Sequence, residues 1–137
     1  NSSIHSLLSS KYHEAQMYRL NIHAEIPDPV THNYLTDLDL AVVLGHLMDN
    51  AIDGARKASE GFISLAYFDE EDCQSFIIES TIADEQVPLS MMSTQTPHPG
   101  GGIGVNAVQD ILERYPNTSF SVRSQNHKMM QILEMRP

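Results

Sequence analysis

The sequence is poor in basic residues and in cysteine, and it has no long apolar run. Lys and Arg number 8 against 18 Asp and Glu, which gives a formal net charge of -10. A nucleic-acid surface or contact with an anionic membrane needs clustered basic residues, so we expect neither partner for this chain. Cys73 is the single cysteine, which excludes an internal disulfide and is typical of a reducing compartment. No apolar stretch reaches the roughly 18–20 residues of a membrane span.

The 137 residues have the size and composition of one globular domain. The sequence begins at Asn1 without Met and shows no signal peptide, so we expect any sensor or membrane part to lie outside it. An acidic domain can still bind a polyanion such as ATP if it offers backbone N–H groups, a helix N-terminus or a metal ion.

Apolar periodicity predicts helices and strands in alternation. Helices are expected at 5–18, 37–59 and 105–115, and strands at 19–26, 62–68, 73–81, 118–124 and 128–135. Residues 82–99 are polar and rich in Pro, which favours a long and functional loop. Strands joined by hairpins indicate a mostly antiparallel sheet covered on one face by helices, which is a two-layer α/β sandwich of the α+β kind.

Polar side chains recur along one face of the long helix. His46, Asn50, Asp53 and Lys57 follow one another at helical spacing. An Asn amide oxygen can bind Mg²⁺, a metal that takes few protein ligands together with substrate phosphates. His46 stands one turn earlier, where it could touch the phosphates or a water. A solvated polar face gives the same spacing, and spacing alone favours that simpler interpretation.

Glycines occupy alternate positions just before the next helix, at Gly100, Gly102 and Gly104. They let the backbone approach a ligand closely, and the following helix offers free N–H groups suited to phosphate. No Gly-Lys-Ser/Thr follows, so this is not a Walker loop. A Pro-rich loop precedes the glycines, so a dinucleotide fingerprint is also not convincing. A flexible hinge explains them equally well when they are read alone.

The two motifs together resemble one superfamily. A helix bearing Asp49-Asn50-Ala51-Ile52, two strands, a lid-like loop ending in Gly102-Ile103-Gly104 and a helix are similar to the GHKL ATPase fold of gyrase, Hsp90, histidine kinases and MutL. The resemblance covers about 19–135 and implies a mixed sheet with an ATP lid, the Bergerat fold. Residues 39–52 and 93–104 look most like the quorum-sensing peptide-receptor sensor histidine kinases.

The resemblance implies ATP and Mg²⁺ as cofactors. Asn50 would be the Mg²⁺ ligand at the ATP phosphates, and His46 and Asn50 would be the catalytic residues. The implied nucleotide-binding residues are Asn50, Asp53, Ser80, Asp84, Gly100, Gly102, Ile103, Gly104 and Val105. Residues 1–18 would be a terminal helix at the end of a linker from the dimerisation region, and 19–137 would be the ATPase domain.

The chain departs from the family pattern in several places. His46 stands where related kinases carry Asn. The Asp-x-Gly-x-Gly segment that holds adenine is missing, which leaves Glu79, Ser80 or Asp84 to contact the base. Gln95 replaces a Lys of the lid. The acceptor histidine is also absent, because neither histidine of the first helix has the surroundings of the acceptor motif.

The resemblance implies the catalytic domain of a two-component sensor histidine kinase, in the cytoplasmic part of an integral membrane receptor. It would transfer the ATP γ-phosphoryl group to a histidine on its own dimerisation domain, with a response regulator as a further partner. The alternative is a degenerate nucleotide-binding or scaffold module without kinase activity. A serine kinase of the anti-sigma type ranks below both. We expect the isolated chain to be monomeric or weakly dimeric.

Overall fold

The protein is represented by a computed structural model that describes residues 2–25, 34–83 and 102–137. The helices within these ranges are α1 (Ser2–Met17), α2 (Asp37–Lys57) and α3 (Gly102–Leu112). The strands are β1 (Asn21–Glu25), β2 (Phe62–Glu70), β3 (Cys73–Thr81), β4 (Thr118–Gln125) and β5 (Lys128–Met135). They form one sheet in the order β1-β2-β3-β5-β4. Only β1 and β2 pair in parallel among these strands, so the predicted mixed, mostly antiparallel sheet with helices on one side is confirmed.

Helix α2 begins where the sequence places a cap. The Thr36 hydroxyl accepts a hydrogen bond from the Asp39 backbone N–H at 3.2 Å. Acidic residues in the first turn and basic residues in the last turn complement the helix dipole. One stripe of α2 is buried and packs between the sheet and the other two helices. Its members are Leu40, Val43, Leu44, Leu47, Met48, Ala51, Ile52 and Ala55.

The sheet turns apolar side chains toward α2 by simple alternation along its central strands. The inward positions of β2, β3 and β5 carry Ile63, Leu65, Tyr67, Phe76, Ile78, Met129, Leu133 and Met135, all buried. Three inward positions are polar instead, namely Gln74, Ser80 and Gln131, and these are buried as well. Gln74 is satisfied inside the core, where its Nε2 donates to the Tyr67 hydroxyl at 3.0 Å. Polar groups at core positions need such partners, so the other two require a separate explanation.

Helix α1 packs on α2 and contributes to the same core. Ile4 and Ala15 are buried among the side chains of the other elements. On the solvent side, Lys11 Nζ lies 2.5 Å from Asp49 Oδ1. The assignment of residues 1–18 to the end of a linker stays a prediction. No helix within the described ranges has the length and the apolar character needed to cross a bilayer.

Tight turns join the paired strands. Asn126 and His127, between β4 and β5, both have positive φ, as a two-residue type I′ turn requires. The sequence placed this turn one residue earlier, but Gln125 still pairs with Lys128 in the ladder. Gly61 stands where α2 gives way to β2. A Cβ there would lie 2.2 Å from Leu20 Cδ2 and 3.0 Å from the Ala55 carbonyl oxygen, so any larger residue requires both neighbours to shift.

Candidate nucleotide-binding site

Asn50 lies half-buried on the polar side of α2, and its side chain contacts β5. Its Nδ2 donates to Gln131 Oε1 at 3.3 Å. Gln131 Nε2 in turn donates to the Leu47 carbonyl oxygen at 2.8 Å. The buried Gln131 is therefore satisfied by one helix carbonyl and one side chain of α2. The Asn50 side chain is attached to the sheet by its amide nitrogen, and its Oδ1 is not used in this contact.

The other polar residues of α2 follow the predicted face. His46 is half-buried one turn before Asn50, and Asp53 is exposed on the following turn. Lys57 Nζ lies 3.1 Å from Asp53 Oδ2, in an ion pair between exposed side chains. This contact supports the interpretation of Lys57 as a solvated surface charge. An exposed pair of this kind contributes only about 0.3–0.5 kcal/mol to stability.

The end of β3 forms a second part of the site. Ile78 pairs with Gln131 across β3 and β5, and Ser80 follows two residues later on the same inward face. Ser80 is fully buried, and its Oγ has no hydrogen-bond partner among the described residues. A Cβ on Gly54, one turn beyond Asn50, would lie 3.0 Å from Ile82 Cγ2. Helix α2 thus passes closely over the end of β3, which brings Asn50 and Ser80 to the same region.

The N-terminus of α3 supplies backbone donors. The helix begins at Gly102, three residues before the predicted start, so Gly102, Ile103, Gly104 and Val105 form its first turn. The first four N–H groups of an α-helix have no intrahelical acceptor. Of the predicted phosphate-facing N–H groups, those of Ile103 and Gly104 are among the free donors of this turn, whereas Val105 is the fourth helical residue, the position whose N–H makes the first intrahelical hydrogen bond. Asp84 and Gly100, also expected at the site, lie outside the described residues.

A polar cluster holds the opposite end of α3 against the start of α2. The Tyr115 hydroxyl donates to Asp39 Oδ2 at 2.5 Å and accepts from the Thr36 backbone N–H at 3.3 Å. Arg114 Nη2 donates to Asp39 Oδ1 at 3.1 Å. The Tyr115 hydrogen bond lowers the pKa of Asp39 despite desolvation, and Thr36 and Arg114 add to the lowering. The two helices that carry Asn50 and the free N–H groups are thereby joined.

These features fit a magnesium nucleotide. Asn50 offers an amide oxygen, which is a suitable ligand for Mg²⁺, and the first turn of α3 offers donors for phosphate oxygens. The Ser80 hydroxyl, which has no partner among the described residues, offers one buried polar group at the end of β3. No group of three His, Cys, Asp or Glu residues in the described part of the chain is arranged to hold a metal ion.

The family model described as "GHKL domain" matches residues 35–136. The chain therefore belongs to the GHKL domain family. No curated protein sequence matches it.

Solved structures of histidine kinases share the fold. The catalytic domain of ThkA superposes with a TM-score of 0.80 at 14% identity and covers 99% of this chain and 90% of that chain. The histidine kinase AdeS of Acinetobacter baumannii gives a TM-score of 0.74 at 15% identity, with 98% of this chain and 63% of that chain covered. The mycobacterial sensor histidine kinase MprB gives a TM-score of 0.69 at 11% identity, with 96% and 93% covered. This fold is the one the sequence predicted.

Sequence reasoning missed Gln131. The sequence did contain a pattern that indicates a buried polar contact at Gln131, because this polar residue stands at an inward position of a strand whose other inward residues are apolar. The same pattern marks Gln74 and Ser80 on β3. The Tyr115 contact to Asp39 was also missed, because the two residues are far apart in sequence and nothing local connects them.

Proposed function

We propose that this chain is the ATP-binding catalytic domain of a sensor histidine kinase, which transfers the ATP γ-phosphoryl group to a histidine on a separate dimerisation domain. One observation carries the proposal. In a GHKL domain with the fold of histidine kinase catalytic domains, Gln131 holds the Asn50 amide of α2 by its nitrogen, and the amide oxygen makes no hydrogen bond to the described residues. Phosphoryl transfer depends mainly on positioning and on neutralising charge, and a fixed amide oxygen suits that task.

Each part of the site has a role in this proposal. Asn50 Oδ1 would hold Mg²⁺, which when bound offsets the charge of the ATP phosphates. The backbone N–H groups of Ile103, Gly104 and Val105, in the first turn of α3, would donate to phosphate oxygens, as helix N-termini do. The Ser80 hydroxyl, buried and without a described partner, would contact the adenine.

Roles for the remaining residues rest on their positions. His46 stands one turn from Asn50, where a neutral imidazole can donate one hydrogen bond to a phosphate or to a water. Asp53 lies on the same side of α2, although it already pairs with Lys57. Asp84, Gly100 and Gly102 are proposed as parts of the lid segment that would cover the nucleotide.

The setting of the domain is also proposed. We infer that it works beside its own acceptor-histidine domain, passes phosphate to a response regulator, and belongs to the cytoplasmic part of an integral membrane receptor of the quorum-sensing peptide group. Support for this setting comes from the resemblance of residues 39–52 and 93–104 to that group.

Calorimetric titration with ATP and with an ADP analogue, with and without Mg²⁺, tests the proposal. We expect binding that Mg²⁺ strengthens, and we expect Asn50→Ala and Asn50→Asp to reduce that strengthening. Asp49→Ala is the matched control, because the neighbouring Asp49 is an exposed residue that pairs with Lys11 of α1 instead of facing the site. Its titration should match the wild type.

Two results would count against the proposal in different ways. No binding of the wild type at millimolar nucleotide would favour a degenerate scaffold module of the same fold. Normal nucleotide binding by a full-length receptor that never phosphorylates itself would retain the nucleotide site and remove the kinase activity.

A further inference from the structure

We propose that Gln131 is a positioning residue that fixes the orientation of the Asn50 side-chain amide and so presents its oxygen to the metal. This inference rests on the proposed function, because it assigns Gln131 a task in the same site. It concerns a buried residue of β5 that faces the underside of α2 and does not itself reach solvent.

The hydrogen bonds determine the orientation of both amides. The Leu47 group at 2.8 Å from Gln131 is a carbonyl oxygen, which can only accept. The Gln131 atom facing it must therefore be the Nε2 donor, and Oε1 is left to face Asn50. An oxygen facing Asn50 requires a donor in return, which only Nδ2 provides. Asn50 Oδ1, on the opposite side of Cγ from Nδ2, is consequently directed away from Gln131.

A helix carbonyl is a stable reference for this chain of contacts. Leu47 lies in the middle of α2, so its position is set by the helix, and its carbonyl oxygen has two lone pairs. One lone pair serves the helix hydrogen bond and the other can accept from Gln131. An Asn side chain without such a partner has a broad, roughly two-fold χ2 preference, and it would present NH₂ toward the metal in part of the population. Because Gln131 is buried, its own rotation is restricted.

The same contacts explain why a glutamine occupies an inward position of β5. The inward positions on either side of it, Met129 and Leu133, are apolar and buried, so an apolar residue at 131 would continue their pattern. The glutamine instead connects two points of α2, and the partner it orients is the residue proposed to hold Mg²⁺. Partners of this indirect kind change metal affinity by about 10–100-fold when they are removed.

The first test uses the nucleotide-free protein and side-chain amide NMR. We expect the NH₂ signals of Gln131 and Asn50 to exchange slowly with solvent in the wild type. In Gln131→Met the Asn50 NH₂ signals should shift and exchange faster. The matched control is Gln74→Met, which removes another buried glutamine at the far end of the sheet. Asn50 signals that are unprotected in the wild type, or unchanged in Gln131→Met, would overturn the inference.

The second test compares nucleotide affinity with and without Mg²⁺ in the wild type, Gln131→Met, Gln74→Met and Asn50→Ala. We expect Gln131→Met to reduce the Mg²⁺-dependent increase in nucleotide affinity about tenfold. Its affinity for nucleotide without Mg²⁺ should equal that of the wild type. A purely structural role would weaken both conditions in parallel, as any loss of folded protein does. Gln74→Met should lower the melting temperature and keep the Mg²⁺-dependent gain. In the Asn50→Ala background, Gln131→Met should change the gain no further.

The outcomes separate this inference from the proposed function. A wild type that binds nucleotide with a Mg²⁺-dependent gain, and a Gln131→Met variant within twofold of that gain, would overturn the role of Gln131 alone. A wild type that binds no nucleotide would overturn the proposed function, and the role of Gln131 with it.

Discussion

Replacing Tyr115 with Phe removes one hydroxyl from the cluster that joins α3 to the start of α2. That hydroxyl donates to the Asp39 carboxylate and accepts from the Thr36 backbone N–H. The Asp39 side chain is only 13% exposed, so water replaces the lost donor poorly. Arg114 remains on the other carboxylate oxygen, but its own side chain is 60% exposed and its contribution is small.

The expected loss of stability follows from these contacts. A hydrogen bond to a charged group contributes about 1.5–3 kcal/mol, and partial access of water places this one near the lower limit. We expect Tyr115→Phe to lower the free energy of unfolding at pH 7 by about 1.5 kcal/mol. For a domain of this size, each kcal/mol corresponds to about 3–5 °C in Tm.

The loss should depend on pH in one direction. The hydrogen bond lowers the pKa of Asp39 in the folded protein below its ordinary value of about 3.9. Its stabilisation is therefore complete above that value and disappears as the pH falls through the lower, folded pKa. Without the hydroxyl, the pKa of Asp39 rises toward its ordinary value. The stability gap between wild type and Tyr115→Phe should be constant from pH 7 to about 5 and should narrow below about 4.

Urea unfolding of both proteins at pH 7, 5 and 3.5 measures this gap. Tyr12→Phe is the matched control, because Tyr12 is exposed and its loss of a hydroxyl should change nothing. Tyr115→Phe made in an Asp39→Asn background should cost less than in the wild type. A gap that is absent at pH 7, or as large at pH 3.5 as at pH 7, would refute the reasoning.

Three further changes test other parts of the structure. Gly61→Ala should destabilise the domain by about 1–3 kcal/mol, since a methyl group there meets both a core side chain and a backbone carbonyl; a Tm equal to the wild type would contradict this crowding. Ser80→Ala should raise stability slightly, because it removes a buried hydroxyl without a described partner, and it should weaken nucleotide binding. A lower Tm in thermal shift together with weaker binding in titration would instead indicate a structural serine. Deleting residues 1–17 should cost several kcal/mol in urea unfolding, because two buried residues of α1 leave the core; an unchanged unfolding midpoint would show that α1 is dispensable.

The sequence predicted the fold well because its signals are local and periodic. The apolar stripe and Thr36 cap of α2, and the alternation along β3 and β5, each follow from residues close in the chain. The observed element boundaries differ from the predicted ones at the glycine-rich start of α3 and at the turn between β4 and β5. The helix α3 begins at Gly102, three residues before the predicted start, because the glycines of its first turn carry no apolar periodicity from which a start could be predicted.

The site was only partly predictable. Asn50 and the glycine run could be found by spacing and resemblance, and their roles stay predictions. Gln131 could not be paired with Asn50 from sequence, because β5 lies far along the chain from α2 and only the sheet order brings them together. The burial of Ser80 follows from alternation on β3, whereas its lack of a described partner is a property of the folded arrangement.

The strand order has a consequence for how the molecule folds. The β2–β3 and β4–β5 pairs are hairpins closed by tight turns, so they can form from neighbouring segments. The β1–β2 and β3–β5 pairs must instead close long loops, which is slow because the loop entropy is lost before the contacts form. Gln131 reaches Leu47 and Asn50 only after the second of these closures. Assembly of the site should therefore be a late event, and in pulse-labelled hydrogen exchange the central β3–β5 ladder should gain protection after both hairpins.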